Sequence, residues 1–172
     1  NQIAKEAAVT KLTVYNHFQD KGNLFICAIE ESCEESIRTK QFELTADSDF
    51  KQALQLMCQR ALSIIYLPEA LKLDCLLFEL AAEQSPLTQQ FFDASHTRMC
   101  HVWCDFFEQA IAFKFIQADA PLKQTELIIS LMLGIRHQQV LLGLAPVPTA
   151  DEIDQIIQHA IEIFLLKYQP KN

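Results

Sequence analysis

The sequence predicts an all-α protein in which an N-terminal helix-turn-helix unit precedes a larger helical domain. Only 3 of the 172 residues are Gly and 6 are Pro, whereas residue types that favour helices are abundant. Apolar residues recur every three to four positions through most of the chain, which is the period of an amphipathic helix. Prolines and polar runs separate these periodic segments. We place the boundary between the two units after residue 43, which gives domains of residues 1–43 and 44–172.

Three helices are predicted at the N-terminal end, where suitable capping residues occur. A short apolar stripe ends near Ala8, and the first helix is expected to end there. Thr10 is suited to cap a second helix that continues to about His17, because its hydroxyl can accept a hydrogen bond from a free backbone N–H. Asp20 can cap a much longer third helix over residues 21–41 in the same way.

Five further helices are predicted beyond a polar connection at residues 45–49. They cover residues 50–66, 69–83, 87–116, 122–144 and 151–168. The last two are apolar on two faces, and in the final helix Ile163 and Leu166 lie opposite the main stripe. A helix with two apolar faces needs two partners, of which one is the body of the domain. The second is either the same chain or another subunit, packed as a four-helix bundle in a homodimer.

Charge and cysteine content limit the classes of protein to which the chain can belong. The net charge of −8 argues against non-specific binding of nucleic acid, but residues 1–25 carry three Lys against two acidic side chains. Six cysteines occur without a Cys-x-x-Cys pair, and no signal peptide begins the chain, which favours reduced thiols in the cytoplasm. The longest apolar-rich stretch, near residues 127–135, is too short to span a bilayer, so no membrane partner is expected.

The second predicted helix has an outward face suited to DNA. Val14 and Phe18, four positions apart, are expected to pack this helix against its neighbours. The side chains left outside are Lys11, Leu12, Thr13, Tyr15, Asn16 and His17. A face with basic, hydroxyl and amide groups and no acidic residue suits a groove lined by phosphates.

Residues 3–25 resemble the helix-turn-helix of the tetracycline-repressor (TetR) family. The matching residues are Ile3-Ala4, Ala7-Ala8-Val9, Thr10, Thr13-Val14-Tyr15, His17-Phe18, Lys21 and Leu24-Phe25. The spacing of Tyr15, Phe18, Lys21 and Leu24 is the specific part of this resemblance. Ala8 departs from the family pattern, which usually has glycine in the turn, and Leu12 stands where a small residue or proline is usual. The chain begins at Asn1 without the helix that normally precedes this unit in the family.

The resemblance implies a dimeric transcriptional regulator, commonly a repressor, that binds a palindromic operator in double-stranded DNA and is released by a small-molecule effector. Its phosphate contacts are carried over to Thr13, Tyr15, His17 and Lys21. Its contacts to base edges are carried over to Lys11, Leu12 and Asn16, since Lys matches guanine acceptors and Asn matches adenine.

The rest of the chain resembles the ligand-binding half of the same family, in the subgroup with a proteobacterial-type C-terminal domain. The resemblance lies in residues 71–86, Phe91-Phe92, Leu133-Gly134, Leu142-Gly143 and residues 160–168. We expect an effector pocket among the helices of residues 50–143. Candidate lining residues are Met57, Phe78, Met99, Trp103, Phe107 and His137. Their side chains suggest an apolar or aromatic effector, although each alone is more often part of a plain core than of a pocket.

Two other classes of protein remain as alternatives. His96, Cys100 and Cys104 recur every four residues and suggest a thiol- or metal-sensing regulator, or else a core histidine beside two buried thiols. A helical-bundle enzyme needs a metal or acid–base constellation, yet neither His-Glu-x-x-His nor Gly-x-Ser-x-Gly occurs. The sequence therefore predicts no enzyme, no catalytic residue, no cofactor and no resident metal.

Overall fold

In the computed structural model, residues 2–37 and 43–170 are described, without the side chains of Lys21, Ile29 and residues 32–37. Within these ranges the chain forms nine α-helices and one π-helical turn. The helices are α1 (Gln2–Glu6), α2 (Lys11–Phe18), α3 (Lys21–Ile37), α4 (Phe50–Ile65), α5 (Pro68–Ala82), α6 (Leu87–Phe92), α7 (Arg98–Ala112), α8 (Pro121–Leu141) and α9 (Ala150–Tyr168). The π-helical turn is Asp93–Thr97, between α6 and α7. The all-α prediction is confirmed, since the described ranges contain no strand.

The helix-turn-helix forms as its capping residues predict. The Thr10 hydroxyl accepts a hydrogen bond from the Thr13 N–H at 3.1 Å and caps α2. Asp20 Oδ1 accepts one from the Asn23 N–H at 2.9 Å at the start of α3. Between α1 and α2, Ala8 has φ +54°, the left-handed conformation that the usual glycine adopts without strain. The predicted end of α3 near residue 41 lies outside the described residues.

The main core lies among α4, α7, α8 and α9. Its central contact is between Phe107 of α7 and Phe164 of α9, whose rings stack with their centroids 5.1 Å apart. The largest fully buried apolar side chains around them are Trp103, Phe106, Leu54, Leu62, Ile128, Met132, Ile157 and Ile161. Burial of this apolar area is the main source of stability for the larger domain.

The helix predicted over residues 87–116 is shorter and less regular than expected. It is interrupted by the π-helical turn, where the Ser95 hydroxyl donates to the Phe91 carbonyl at 2.8 Å. It ends at Ala112, because Lys114 adopts a left-handed φ of +61°. This interruption means that residues on either side of it do not follow one helical stripe.

We call α1 and α2 the head. The head is joined to the larger domain through α3. The Phe25 ring of α3 lies against Phe91 of α6, with centroids 5.0 Å apart. The Arg98 guanidinium at the start of α7 donates to the Glu30 carbonyl at 3.4 Å. A Cβ added at Gly22 would lie 3.3 Å from a Leu87 methyl group, so the start of α3 closely approaches α6. The helix α3, which follows the helix-turn-helix, therefore rests on α6, the π-helical turn and α7.

Candidate DNA-binding surface and effector site

The predicted DNA-facing side chains form one exposed surface on α2. Lys11, Leu12, Thr13, Tyr15, Asn16 and His17 are all exposed. Val14 and Phe18 are half-buried beneath them, as their spacing predicts. We call these six exposed residues the reading face. Lys21, the seventh predicted contact, opens α3, but its side chain lies outside the described part of the structure.

Local contacts orient several side chains of the reading face. The Thr13 and Thr10 hydroxyls lie 2.8 Å apart. The Lys11 ammonium lies 5.4 Å from the centre of the Tyr15 ring, which is within the range of a cation–π contact. The edge of the His17 ring meets Phe18 at a centroid distance of 4.7 Å. Donor groups are thus held on the solvent side of a short helix, as a phosphate backbone requires.

The six predicted pocket residues lie in different surroundings. Met57, Trp103 and Phe107 are buried in the main core, and Met99 is partly buried against it. Phe78 points away from the core on α5 and is 66% exposed. His137 is only 9% exposed and is the one polar member of the set.

His137 belongs to a buried polar cluster that the sequence did not predict. Its Nε2 lies 3.6 Å from Oδ2 of Asp74, and the Nε2 of His96 lies 3.2 Å from Oδ1 of the same carboxylate. The His137 ring also meets Tyr66 edge-on, with centroids 5.7 Å apart. We call Tyr66, Asp74, His96, Arg136 and His137 the buried polar cluster after its two buried members, Tyr66 and His137; Asp74 and Arg136 are partly buried, and the His96 side chain is 41% exposed. The signals for it in the sequence are weak: Asp74 stands beside the leucines of α5, and His137 stands in the largely apolar α8.

The electrostatics of this cluster favour an ionised carboxylate. Burial by itself raises the pKa of Asp74, but hydrogen bonds and charge from His137 and His96 outweigh it and lower the pKa to about 2. Burial raises the pKa of the Tyr66 hydroxyl, and the positive charge of Arg136 opposes that rise. Tyr66 is therefore a neutral hydroxyl at pH 7, and Asp74 is an anion held between two imidazoles.

A groove runs beside this cluster, between α5 and α8. Its volume is about 340 Å³, and it is lined by Leu71, Lys72, Cys75, Leu76, Glu79, Val140 and Leu141. None of the six predicted pocket residues lines it. Leu71 lies one helical turn before Asp74, and Val140 lies one turn after His137. The groove thus follows the faces of α5 and α8 that also carry Asp74 and His137, although none of the five cluster residues lines it.

His96, Cys100 and Cys104 have separate surroundings. His96 faces Asp74 and stacks on Phe92 with centroids 4.8 Å apart, whereas the Cys104 thiol lies 3.7 Å from the Thr125 hydroxyl. Burial, aided by Cys104 and Glu126, raises the pKa of Cys100 and so disfavours its thiolate. Among the described residues no group of three or more His, Cys, Asp or Glu side chains is placed to hold a metal ion.

The last two helices leave large apolar side chains in contact with solvent. Ile135 of α8 is 74% exposed and Leu166 of α9 is 76% exposed, while Ile163 is half-buried. Leu142, directly after α8, is 72% exposed. Within the described ranges, no helix has the length and apolar character needed to cross a membrane.

Comparison with known proteins identifies the fold. Residues 52–170 match the C-terminal domain of AefR-like transcriptional repressors. A TetR-family regulator from Mesorhizobium loti MAFF303099 superimposes with a TM-score of 0.84 at 22% identity, over 98% of this chain and 85% of that one. The flavonoid-responsive regulator FrrA superimposes with a TM-score of 0.75 at 26% identity, over 99% and 86%. A TetR regulator from Agrobacterium tumefaciens superimposes with a TM-score of 0.81 at 17% identity, over 98% of this chain and 82% of that one. No protein with a curated description matches the sequence significantly.

A helix-turn-helix joined to a larger helical domain defines a DNA-binding transcriptional regulator. The chain belongs to the TetR family of these regulators, with a C-terminal domain of the AefR-like type. Regulators of this family bind operator DNA as dimers, respond to small-molecule effectors and are typically not enzymes. Repression relieved by an effector is their usual mode of action.

Proposed function

We propose that this chain is a homodimeric repressor that places the reading face of α2 in successive major grooves of a palindromic operator. The observation that carries this proposal is the exposure, on one short helix, of five polar or aromatic side chains and Leu12, with no acidic group among them. Tyr15, Thr13, His17 and Lys21 contact phosphates and set the register. Lys11, Leu12 and Asn16 meet base edges.

The homodimer forms through α8 and α9. Three large apolar side chains, Ile135, Leu142 and Leu166, face solvent in the single chain, which is costly unless a second subunit covers them. Packing α8 and α9 against their copies gives an isologous four-helix bundle. A dimer also supplies the two heads that a palindromic operator requires. A protein acting on chromosomal DNA in this way works in the cytoplasm of a bacterium.

The effector binds in the larger domain and changes the spacing of the two heads. An apolar or aromatic compound is supported by the aromatic content of the domain and by the similarity to the flavonoid-responsive regulator FrrA. The contacts of α3 with Phe91 and Arg98 offer a route from the effector domain to the heads. Because both heads must fit grooves one DNA turn apart, a small shift of α3 is enough to weaken binding.

The test is operator binding by the full-length protein at two salt concentrations. Fluorescence anisotropy with DNA flanking its own gene should give much tighter binding than a shuffled fragment of equal length, and a steep salt dependence. Lys51→Ala, an exposed lysine on α4, is the matched control for Lys11→Ala and should bind as the wild type does. Equal, weak binding to every genomic fragment at low salt would contradict the proposal.

A further inference from the structure

Buried polar atoms without partners are concentrated in one place in the larger domain. Among the described side chains, five buried nitrogen or oxygen atoms lack a hydrogen-bond partner. Three of the five belong to the buried polar cluster: Tyr66 Oη, Arg136 Nη1 and His137 Nδ1. Buried polar groups in folded proteins are nearly always paired, so three such atoms on touching residues suggest that a ligand normally pairs with them.

The three atoms belong to neighbouring side chains. Tyr66, only 7% exposed, meets the His137 ring edge-on at 5.7 Å. The charge of Arg136 acts on the Tyr66 hydroxyl, so the guanidinium is also near it. Arg136 Nη2 lies 3.7 Å from Glu152 of α9, which holds one side of the guanidinium while Nη1 is unpaired among the described atoms.

The donor and acceptor properties of the cluster specify the group that fits it. The Nε2 of His137 faces Asp74, and in the tautomer that donates from Nε2 the Nδ1 atom presents a lone pair and needs a donor. Arg136 Nη1 presents N–H groups and needs an acceptor, and the Tyr66 hydroxyl can serve as either. A hydroxyl both donates and accepts and so satisfies all three residues. A carboxylate only accepts, and it would also be repelled by the ionised Asp74.

The adjoining groove provides room for the rest of such a ligand. Its volume of about 340 Å³ is within the range of small-molecule sites, and most of its lining residues are apolar. Leu71 and Cys75 flank Asp74 along α5, and Val140 and Leu141 follow His137 along α8. We infer that the effector is a phenol whose apolar body lies in this groove and whose hydroxyl pairs with Tyr66, Arg136 and His137. This inference rests on the proposed effector-controlled function and adds its chemical class and its anchoring residues.

A matched pair of compounds tests the inference. The probes are naringenin, a flavanone with free phenolic hydroxyls, and its trimethyl ether, which has the same skeleton without hydroxyl donors. Binding is followed by the fluorescence of Trp103, the single tryptophan, at pH 8, where unperturbed histidine is neutral. We expect the wild type to bind naringenin at least tenfold more tightly than the ether. No binding of naringenin, or equal binding of the two compounds, would overturn the inference.

Two tyrosine variants give a matched control. Tyr66→Phe removes a hydroxyl without a partner among the described residues, whereas Tyr168→Phe removes one that donates to Asp119 at 3.0 Å. Tyr66→Phe should abolish the preference for naringenin without lowering the melting temperature, and Tyr168→Phe should do the reverse. If Tyr66→Phe keeps the preference or melts lower than the wild type, the hydroxyl has another partner and the inference is wrong.

Operator binding distinguishes this inference from the proposed function. Tyr66 is remote in sequence from α2, so Tyr66→Phe should bind operator DNA with wild-type affinity in the absence of naringenin. If the wild type binds its operator but shows no phenol preference, only the present inference fails. If the wild type binds no operator at all, the proposed function fails, whatever the result with naringenin.

Discussion

At the scale of one residue, the backbone of Ala8 is strained in the turn between α1 and α2. A left-handed conformation costs an alanine about 1–2 kcal/mol relative to glycine, and Ala8 has φ +54°. Replacing Ala8 by glycine would remove this cost. Glycine would also increase the conformational freedom of the unfolded chain, which offsets part of the gain in stability. The family pattern, with glycine in the turn, agrees with the observed backbone.

We therefore expect Ala8→Gly to stabilise the head by about 0.5–1 kcal/mol. Hydrogen exchange of the α1 and α2 amides is the suitable measurement, because it reports the local stability of these helices. Ala28→Gly, at an exposed helical position of α3, is the control and should lose about 1 kcal/mol. Faster exchange in Ala8→Gly than in the wild type would contradict the assignment.

Substitutions in the reading face and at Lys21 should affect DNA binding in two different ways. Tyr15→Ala and Lys21→Ala should weaken binding to operator and unrelated DNA alike, because phosphate contacts carry no sequence information. Lys11→Ala should instead cost about 1–3 kcal/mol on the operator and relax the preference for one base pair. Binding to a set of single-base operator variants measures both effects. If Lys11→Ala weakened binding to all DNA alike while Tyr15→Ala and Lys21→Ala relaxed the base preference, the contact assignments would be wrong.

Burial disfavours the reactive thiolate form at two of the cysteines, Cys58 and Cys100. Burial raises the pKa of Cys58 to about 12 and also raises that of Cys100. Both thiols therefore stay protonated at neutral pH, and protonated thiols are poor nucleophiles.

At the scale of elements, Asp74 connects three parts of the larger domain. It lies on α5 and contacts His96 of the π-helical turn and His137 of α8. The π-helical turn in turn packs near α3, which carries the head. One ionised side chain therefore holds together the elements through which an effector signal would pass.

The pH dependence of stability should report this connection. The pKa of Asp74 is about 2 in the folded protein and 3.8 ordinarily, so the unfolded state binds more protons between these values. Its stabilising contribution is complete above about pH 4 and is lost as the pH falls towards 2. Urea unfolding across this window should show a loss of roughly 2 kcal/mol from this group.

In Asp74→Asn this part of the acid dependence should be absent, because no carboxyl remains to be protonated. Asp105→Asn, at an exposed position on α7, is the control and should keep the wild-type profile. An Asp74→Asn profile as steep as that of the wild type would mean that other carboxyl groups carry the effect.

At the scale of the whole molecule, assembly and DNA binding depend on each other. Two heads are needed for a palindrome, and the exposed apolar side chains of α8 and α9 are the surface that we propose for pairing. A charge placed there must be buried without a partner when two subunits associate, which is strongly unfavourable.

We expect Ile135→Glu combined with Leu166→Glu to give a monomer in sedimentation velocity, with operator affinity reduced at least a hundredfold. Circular dichroism should stay helical, because both side chains are exposed in the single chain. Phe78→Glu, at an equally exposed apolar position on α5, is the control and should remain dimeric. A dimer that persists in the double variant would place the interface elsewhere.

The sequence by itself determined most of the helices, the capping residues Thr10 and Asp20, and the exposure of the reading face. These follow from local rules, such as the Thr10 cap, the Asp20 cap and the spacing of Val14 and Phe18, which act within a few residues. The π-helical turn was not predicted, because an apolar stripe does not report a hydrogen bond such as that from Ser95 to Phe91.

Only the tertiary structure decided which side chains form the buried polar cluster. Tyr66 directly follows α4, Asp74 lies on α5 and His137 lies on α8, and no spacing in the sequence indicates that they meet. Phe78 was predicted to line a pocket and is exposed, since aromatic character alone does not tell which way a side chain of a largely apolar helix points. Local structure depends on neighbours in the chain, whereas a binding site depends on how distant helices pack.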